Sequence, residues 1–280
     1  MKFFRMIFLL PALPVIIFTA GCAGNSNDNS RVEIPLTKTE SSVSEPVTVG
    51  TETGMLLKDL AENGDYVNSR EFPSLIKASA VNELIGTNIL VVDIRSTVEY
   101  SAGHIKGAVK KDFGELPAFF ESAIRPFEYD RIIIVSSDGQ AASYTTSLLR
   151  LMGYGNVYSM RWGMSAWNST YATSGWFAGC SAEYQERIET TVNEAWAGRK
   201  LPELTTGMAT GEEIGIARFT SLFSEGLDNV MITSEDLFSD PSKYYIINYD
   251  RRDKYESGHI PGAVRYKPGA TLGFIDEMGS

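Results

Sequence analysis

Arg131-Ile-Ile-Ile-Val135, then Ser136-Ser-Asp-Gly139, then Gln140-Ala-Ala-Ser143 running on to Met152, is the stretch whose reading decides the fold. Its opening is a short β-branched run, the mark of a strand buried on both faces in a parallel sheet. Its close puts Ala141, Tyr144, Leu148 and Met152 on one helical stripe, and Gly153 supplies the stop. A tight strand-to-helix loop lies between. Its backbone N–H groups converge at a helix N-terminus, which makes a cradle for negative charge. A cysteine at the loop's first position would be held there as a thiolate, a strong sulfur nucleophile. That position is Ser136, a hydroxyl with no base beside it in sequence.

Outward from this loop, β and α patterns alternate. Asn88 to Asp93 is a second buried strand, with Asp93 at the carboxyl edge where open α/β sheets bind ligands. A helical entry lies between Glu71 and Leu84. Thr97 to Tyr100 reads as a helical turn, and Gly103-His104-Ile105 as a turn into the short strand Ala108-Val109. Phe113 to Ile124 reads as a helix that ends before Arg125-Pro126, because the residue preceding proline avoids the helical region. Asn156 to Met160 is a further strand. The alternation predicts an α/β fold, a doubly wound parallel sheet flanked by helices.

Residues 1–21 read as a targeting segment. Lys2 and Arg5 form a basic start, Met6 to Phe18 is apolar, and Thr19-Ala20-Gly21 are small and precede Cys22. The apolar run is interrupted by Pro11 and Pro14 and is short for a bilayer span. The pattern is similar to the bacterial lipoprotein signal, which implies that Cys22 becomes the lipidated first residue; the alternative is an ordinary secretory signal with an incidental cysteine. The implied location is extracytoplasmic, lipid-anchored to a bacterial membrane. Residues 22–54 are rich in Ser, Thr, Asn, Glu and Pro and read as a flexible tether. Removing residues 1–21 takes the formal net charge from −10 to −12. An acidic balance with no basic run argues against nucleic acid and against electrostatic binding to anionic lipid.

Cysteine use is sparse, with only Cys22 and Cys180. With two histidines beside them, no recognisable metal site is expected, and no cofactor. Cys180 reads as a small buried hydrophobe, or as a sulfur acceptor. Residues 178–211 read as a helical connector followed by a Pro/Thr/Gly linker. Glu212 to Gly226 is a helix with Ile214, Ala217, Phe219, Leu222 and Phe223 inward. A repeat then begins: Tyr244 to Asn248 matches the strand before Asp93, and Tyr255-Glu-Ser-Gly258-His259-Ile260-Pro-Gly262-Ala263 matches Tyr100 to Ala108 with the two histidines 155 residues apart. Residues 212–280 are therefore expected to be the start of a second copy. The counterpart of the Ser136 loop falls at residue 291, so the 280 residues are expected to be part of a longer chain.

Four pieces together resemble the rhodanese (thiosulfate sulfurtransferase) homology domain: Val92-Asp93-Ile94-Arg95, Glu99 through Ala108, the Ser136 to Ser143 loop, and Trp162-Gly163-Met-Ser-Ala-Trp167. The resemblance covers about residues 70–177. The family's loop is Cys-x-x-Gly, often with an Arg two residues after the Gly. Gly139 sets the register, so Ser136 stands at the cysteine and Ala141 at the arginine. The resemblance thus implies the fold and withdraws the activity from this loop. Asp93, Arg95, Glu99 and His104 look like a catalytic cluster, but in the family they hold loops at the sheet edge. Trp162, Trp167, Trp176 and Phe177 could form a platform, with core packing expected for the first two.

These readings place no catalytic residue in the degenerate loop (Ser136, Gly139, Ala141). Serine catalysis would need an adjacent base. Backbone geometry at Ser136, Ser137, Asp138, Gly139, Gln140 and Ala141 leaves room for a small sulfur oxyanion, unless Asp138 points inward. The expected role is a binding or scaffolding module. The rival is a thiosulfate or persulfide sulfurtransferase whose active loop belongs to the second copy.

Overall fold

The computed structural model describes residues 5–7, 15–17, 51–62, 74–194 and 202–265. Cys22, the tether up to residue 50, residues 195–199 of the connector and everything after 265 lie outside the described residues.

The central sheet has strands β1 (Leu75–Ile76), β2 (Ile89–Asp93), β3 (Val109–Lys110), β4 (Arg131–Val135) and β5 (Val157–Met160). They lie in the order β1-β5-β4-β2-β3, all parallel. The β-branched runs at 89–93 and 131–135 sit at its centre because side chains alternate between two buried faces. Leu90, Val92, Ile132 and Ile134 point to one face. Val91, Ile133 and Val135 point to the other. Helix α4 (Gln140–Leu151) covers the first face with Leu148 and Leu149, and Ala141, Tyr144 and Met152 pack beside them, as the stripe requires. It stops at Gly153, which takes φ 97°. The second face is covered by α2 (Ala78–Leu84) through Val81, and by Ile105, Met164, Trp167 and Tyr171.

Residues 113–123 carry a helix in three pieces rather than one: a 3₁₀ turn, a short α turn opened by Pro117, and a wide π turn over Phe119–Ala123. Phe119 and Phe120 are both buried there.

Helix α7 (Gly211–Glu225) corrects the expected domain division. It does not open a second unit. Ile214, Phe219, Leu222 and Phe223 join the same core as Leu90, Ile132 and Leu148, and Phe223 meets Phe113 with ring centroids 4.7 Å apart. Each such side chain contributes about 1.5–3 kcal/mol of burial, which explains why the helix returns to this face. Helix α1 (Glu52–Glu62) packs there through Leu56. Glu52 accepts from Thr206 and Gly207, and Thr53 donates to the Pro202 carbonyl. The expected tether boundary at residue 54 is thus also corrected, since Glu52 to Gly54 are already helical and docked.

The connector is not one helix. After α5 (Ser169–Ser174) and α6 (Trp176–Gly179) comes a 3₁₀ turn at Gln185–Arg187, and Glu189 and Asn193 then make β-bridges to His259 and Val264. The β-branched Thr190-Thr191-Val192 run suits that extended path.

Residues 231–265 form β6 (Met231–Thr233), α8 (Ser234–Ser239), β7 (Ile246–Asn248), α9 (Arg252–Ser257) and β8 (Val264–Arg265). β7 pairs with β8 in parallel as β2 pairs with β3: Ile247 faces Val264, and Val92 faces Val109. Two short strands early in the sequence, Arg5–Ile7 and Val15–Ile17, pair with β6 and β7. The latter lies on the side of β7 away from β8, the side that β4 takes on β2.

Candidate functional site

The Ser136 loop leaves the carboxyl end of β4, at the middle of the sheet, and enters α4. Ser136 is 4% exposed. Its Oγ accepts from the backbone N–H groups of Gly139 (3.0 Å) and Ala142 (3.2 Å). Two backbone N–H groups of the loop thus converge on this hydroxyl. Asp138 turns back on the loop, where its Oδ1 accepts from the Gln140 N–H at 2.9 Å. The Ser143 N–H donates to the Gly139 carbonyl at 2.9 Å and opens the helical pattern.

Close packing holds the loop in this shape. Gly139 takes φ 89°, and a Cβ there would lie 2.8 Å from the Trp162 nitrogen. Gly163 takes φ 53°, and a Cβ there would overlap the Ser136 carbonyl oxygen and lie 2.7 Å from the Gly139 nitrogen. Only glycine fits at such an approach. That carbonyl accepts from the Met164 N–H at 2.9 Å. Trp162 itself is left-handed at φ 65°, the single non-glycine with positive φ among the described residues. Backbone strain of this kind persists where the surroundings impose it.

The rim is polar. Ser137 Oγ donates to Glu99 Oε1 at 2.7 Å, while Glu99 Oε2 receives Ser96 Oγ at 2.7 Å and the Ser96 N–H at 3.1 Å. Burial works to raise the Glu99 carboxyl, but the hydroxyls of Ser96 and Ser137, the Ser96 N–H and the nearby Arg95 outweigh it and hold the pKa below the usual value. Glu99 also closes the capping box of α3 (Thr97–Ala102). Arg95 is no ligand of the loop. Its Nε and Nη2 bind the Asp93 carboxylate at 2.6–3.1 Å, and Nη2 also donates to the Gly103 carbonyl at 2.8 Å. Both side chains are at most 2% exposed. The pair ties the end of β2 to the end of α3. His104 places Nδ1 2.9 Å from the Tyr100 carbonyl, stacked on the Tyr100 ring.

A nucleophilic role for Ser136 gains no support from its surroundings. The bonds of Ser136 Oγ come from backbone N–H donors, and no imidazole, carboxylate or amine is among its partners within the described residues. Among the described residues there is no group of His, Cys, Asp and Glu able to hold a metal ion. No described helix is long and apolar enough to cross a membrane.

Two expectations about aromatic and sulfur groups are corrected. Trp167 packs in the core. Trp162 does not; it meets Trp176 edge-on, with centroids 4.8 Å apart, and Arg161 lies over its face. The left-handed turn at Trp162 carries its ring to the rim. Cys180 is exposed rather than buried, with Sγ 3.4 Å from the Trp176 carbonyl. Sequence reasoning missed Ser165. Its Oγ donates to the Ser137 carbonyl at 2.8 Å and accepts from the Trp176 N–H at 3.1 Å, locking α6 to the loop. A serine in a Gly-x-Ser turn carries no signal of such a contact.

A five-stranded parallel sheet flanked by helices, with a strand-to-helix loop at its carboxyl edge, defines an α/β protein whose candidate site lies where open α/β sheets bind ligands. Residues 77–170 match the Rhodanese-like domain. Thiosulfate sulfurtransferase GlpE of Pseudomonas entomophila (strain L48) is 35% identical over 83 residues, covering 29% of this chain and 72% of that protein. The chain belongs to the rhodanese-like domain family. The tRNA uridine(34) hydroxylase of Streptococcus uberis (strain ATCC BAA-854 / 0140J) is 25% identical over 156 residues, 53% of this chain and 45% of that one. The chain spans less than half the length of the hydroxylases it matches. The crystal structure of a rhodanese-like domain protein from Staphylococcus aureus aligns with 34% of this chain and 90% of that chain at 22% identity and TM-score 0.29.

Proposed function

We propose that this rhodanese-like domain is a binding or scaffolding module of the bacterial cell envelope, carried on a lipid at Cys22, with no sulfur transfer at the Ser136 loop. The observation that carries the reading is Ser136 Oγ, held by the Gly139 and Ala142 N–H groups where a thiolate or persulfide would be stabilised. An alcohol there has too high a pKa to accept a sulfane sulfur without a base. A small sulfur oxyanion reaches the same N–H groups only by displacing Ser136 Oγ, and the carboxylates of Asp138 and Glu99 are already bonded to neighbouring groups of this loop. The leader's Lys2 and Arg5, its apolar run and the small residues before Cys22 support the anchor.

A second reading, a sulfurtransferase whose active loop belongs to a second rhodanese-like unit, is favoured by the shared register of β2–β3 and β7–β8. Cyanide-dependent thiosulfate turnover discriminates. The chain of residues 22–280 is expected to be inert, and Ser136→Cys to gain a thiol of depressed pKa, read as thiolate absorbance or alkylation rate against pH. Thiosulfate turnover by the unmodified chain that Ser136→Ala abolishes refutes the inert-loop reading.

A further inference from the structure

We infer that the exposed turn Gly103–Ala108 is a docking site for an extended acidic segment of a partner protein. The pattern is the one by which the chain's own connector docks on the matching turn Gly258–Ala263.

The two turns are built alike. His104 and His259 place Nδ1 2.9 and 2.7 Å from the carbonyls of Tyr100 and Tyr255. Each imidazole stacks on its tyrosine, at 3.8 and 3.7 Å between centroids. The tyrosine hydroxyls donate to the Ala108 and Ala263 carbonyls at 2.6 and 2.7 Å. Gly107 and Gly262 take φ 81° and 78°.

The turns differ in what covers them. On the second, Glu189 and His259 exchange both backbone hydrogen bonds at 2.9 Å. The Glu189 carboxylate accepts from the Gly262 N–H at 2.6 Å and lies 3.5 Å from His259 Nε2. Asn193 donates its amide to the Ala263 carbonyl at 3.2 Å, and its N–H donates to the Tyr255 hydroxyl at 3.0 Å. This segment leaves the His259 side chain with no exposure. On the first turn His104, Lys106 and Gly107 are exposed. The backbone N–H and C=O of His104 and the N–H of Gly107 make no hydrogen bond among the described residues.

The seat is thus the same backbone, with the donors that Glu189 occupies left open. Charge favours the same occupant more strongly. Lys106 stands where the second turn has Pro261, so an arriving carboxylate at the Gly107 N–H meets an ammonium beside an imidazole. One boundary is set by α5: Tyr171 covers Gly103 as Ile188 covers Gly258. The partner segment therefore begins at the acidic residue, without a bulky group before it. The partner is an extended strand of the form acid-x-x-x-Asn, received by backbone pairing and one charge-assisted contact.

This deepens the binding-module reading but uses none of the Ser136 loop. Failure here leaves the inert-loop reading standing, and the thiosulfate assay tests that reading by itself. The probe is a peptide of residues 189–195 (Glu-Thr-Thr-Val-Asn-Glu-Ala), added to the ¹⁵N-labelled full chain of residues 1–280. Saturable shifts are expected at the amides of His104 and Gly107. Glu→Gln at the peptide's first residue and Lys106→Glu in the protein are each expected to weaken them at least several-fold. Lys106 is exposed, so the variant folds. Absence of saturable shifts at His104 and Gly107, shifts confined to His259 and Gly262, or binding indifferent to both charge changes overturns the proposal.

Discussion

Replacing Ser136 by alanine isolates what its hydroxyl does. Oγ accepts two backbone N–H groups, from Gly139 at 3.0 Å and Ala142 at 3.2 Å, in a site 4% exposed. Alanine keeps the fold of the turn and removes the acceptor, leaving two donors to find water in a loop packed against Trp162 and Gly163. A buried polar group left without its partner costs about 1–3 kcal/mol. Partial access of water at the rim trims the sum, so roughly 2–4 kcal/mol of folding stability is expected to be lost. At about 2–4 °C per kcal/mol for a body of this size, the midpoint falls by roughly 4–16 °C. The assay is urea denaturation of residues 22–280 with the slope checked for constancy. Ser137→Ala is the control, because its hydroxyl serves an exposed carboxylate. Thiosulfate or sulfate is expected to recover part of the loss in Ser136→Ala and none in the unmodified chain, where the donors are already taken. A loss below about 0.5 kcal/mol, the level of ordinary surface changes, refutes the reasoning that Oγ holds the cradle.

The remaining expectations concern the sheet edge and the anchor. Arg95→Met strands the Asp93 carboxylate, which is fully buried, and should cost about 3–5 kcal/mol in the same denaturation assay; the double change Asp93→Leu/Arg95→Met should recover most of it. Because the folded-state pKa of Glu99 lies below the ordinary 4.5, its contribution is present above that value and lost as pH falls through the depressed one. Relative to Glu99→Gln, the unmodified chain should therefore lose its advantage only on acidification below about pH 4.5, and an equal gap at pH 3 and pH 6 would contradict the Ser96 and Ser137 bonding. Cys22→Ser in the full chain should abolish incorporation of a fatty-acid label while leaving the melting curve of the folded body unchanged; label persisting in that variant removes the anchor.

Much of the central domain was legible because its strands announce themselves. Ile89–Asp93 and Arg131–Val135 are short β-branched runs bounded by turn signals, and a strand buried on both faces needs little else. The Ser136 register followed from one glycine, Gly139, whose φ of 89° no other residue adopts readily. The turn around His259 was legible for the same reason, because its Gly-x-x-x-Gly spacing, like that of the Gly103 turn, constrains the backbone locally.

What tertiary structure alone decided is where amphipathic pieces dock. The stripe of Ile214, Phe219 and Phe223 specifies that α7 buries a face, and says nothing of which sheet receives it; the open flank of the first sheet did. Glu52 to Gly54 look like linker until Thr206 and Pro202 supply their partners. Trp162 and Ser165 owe their positions to a left-handed turn pressed against the loop, a contact between segments that no local pattern encodes. The connector looked helical because its charges recur at helical spacing, yet its backbone pairs with His259 across 70 residues of chain. Local sequence determines which dihedrals and which faces are available. Long-range packing chooses among them, because burial energy depends on the partner surface and not on the segment that seeks it.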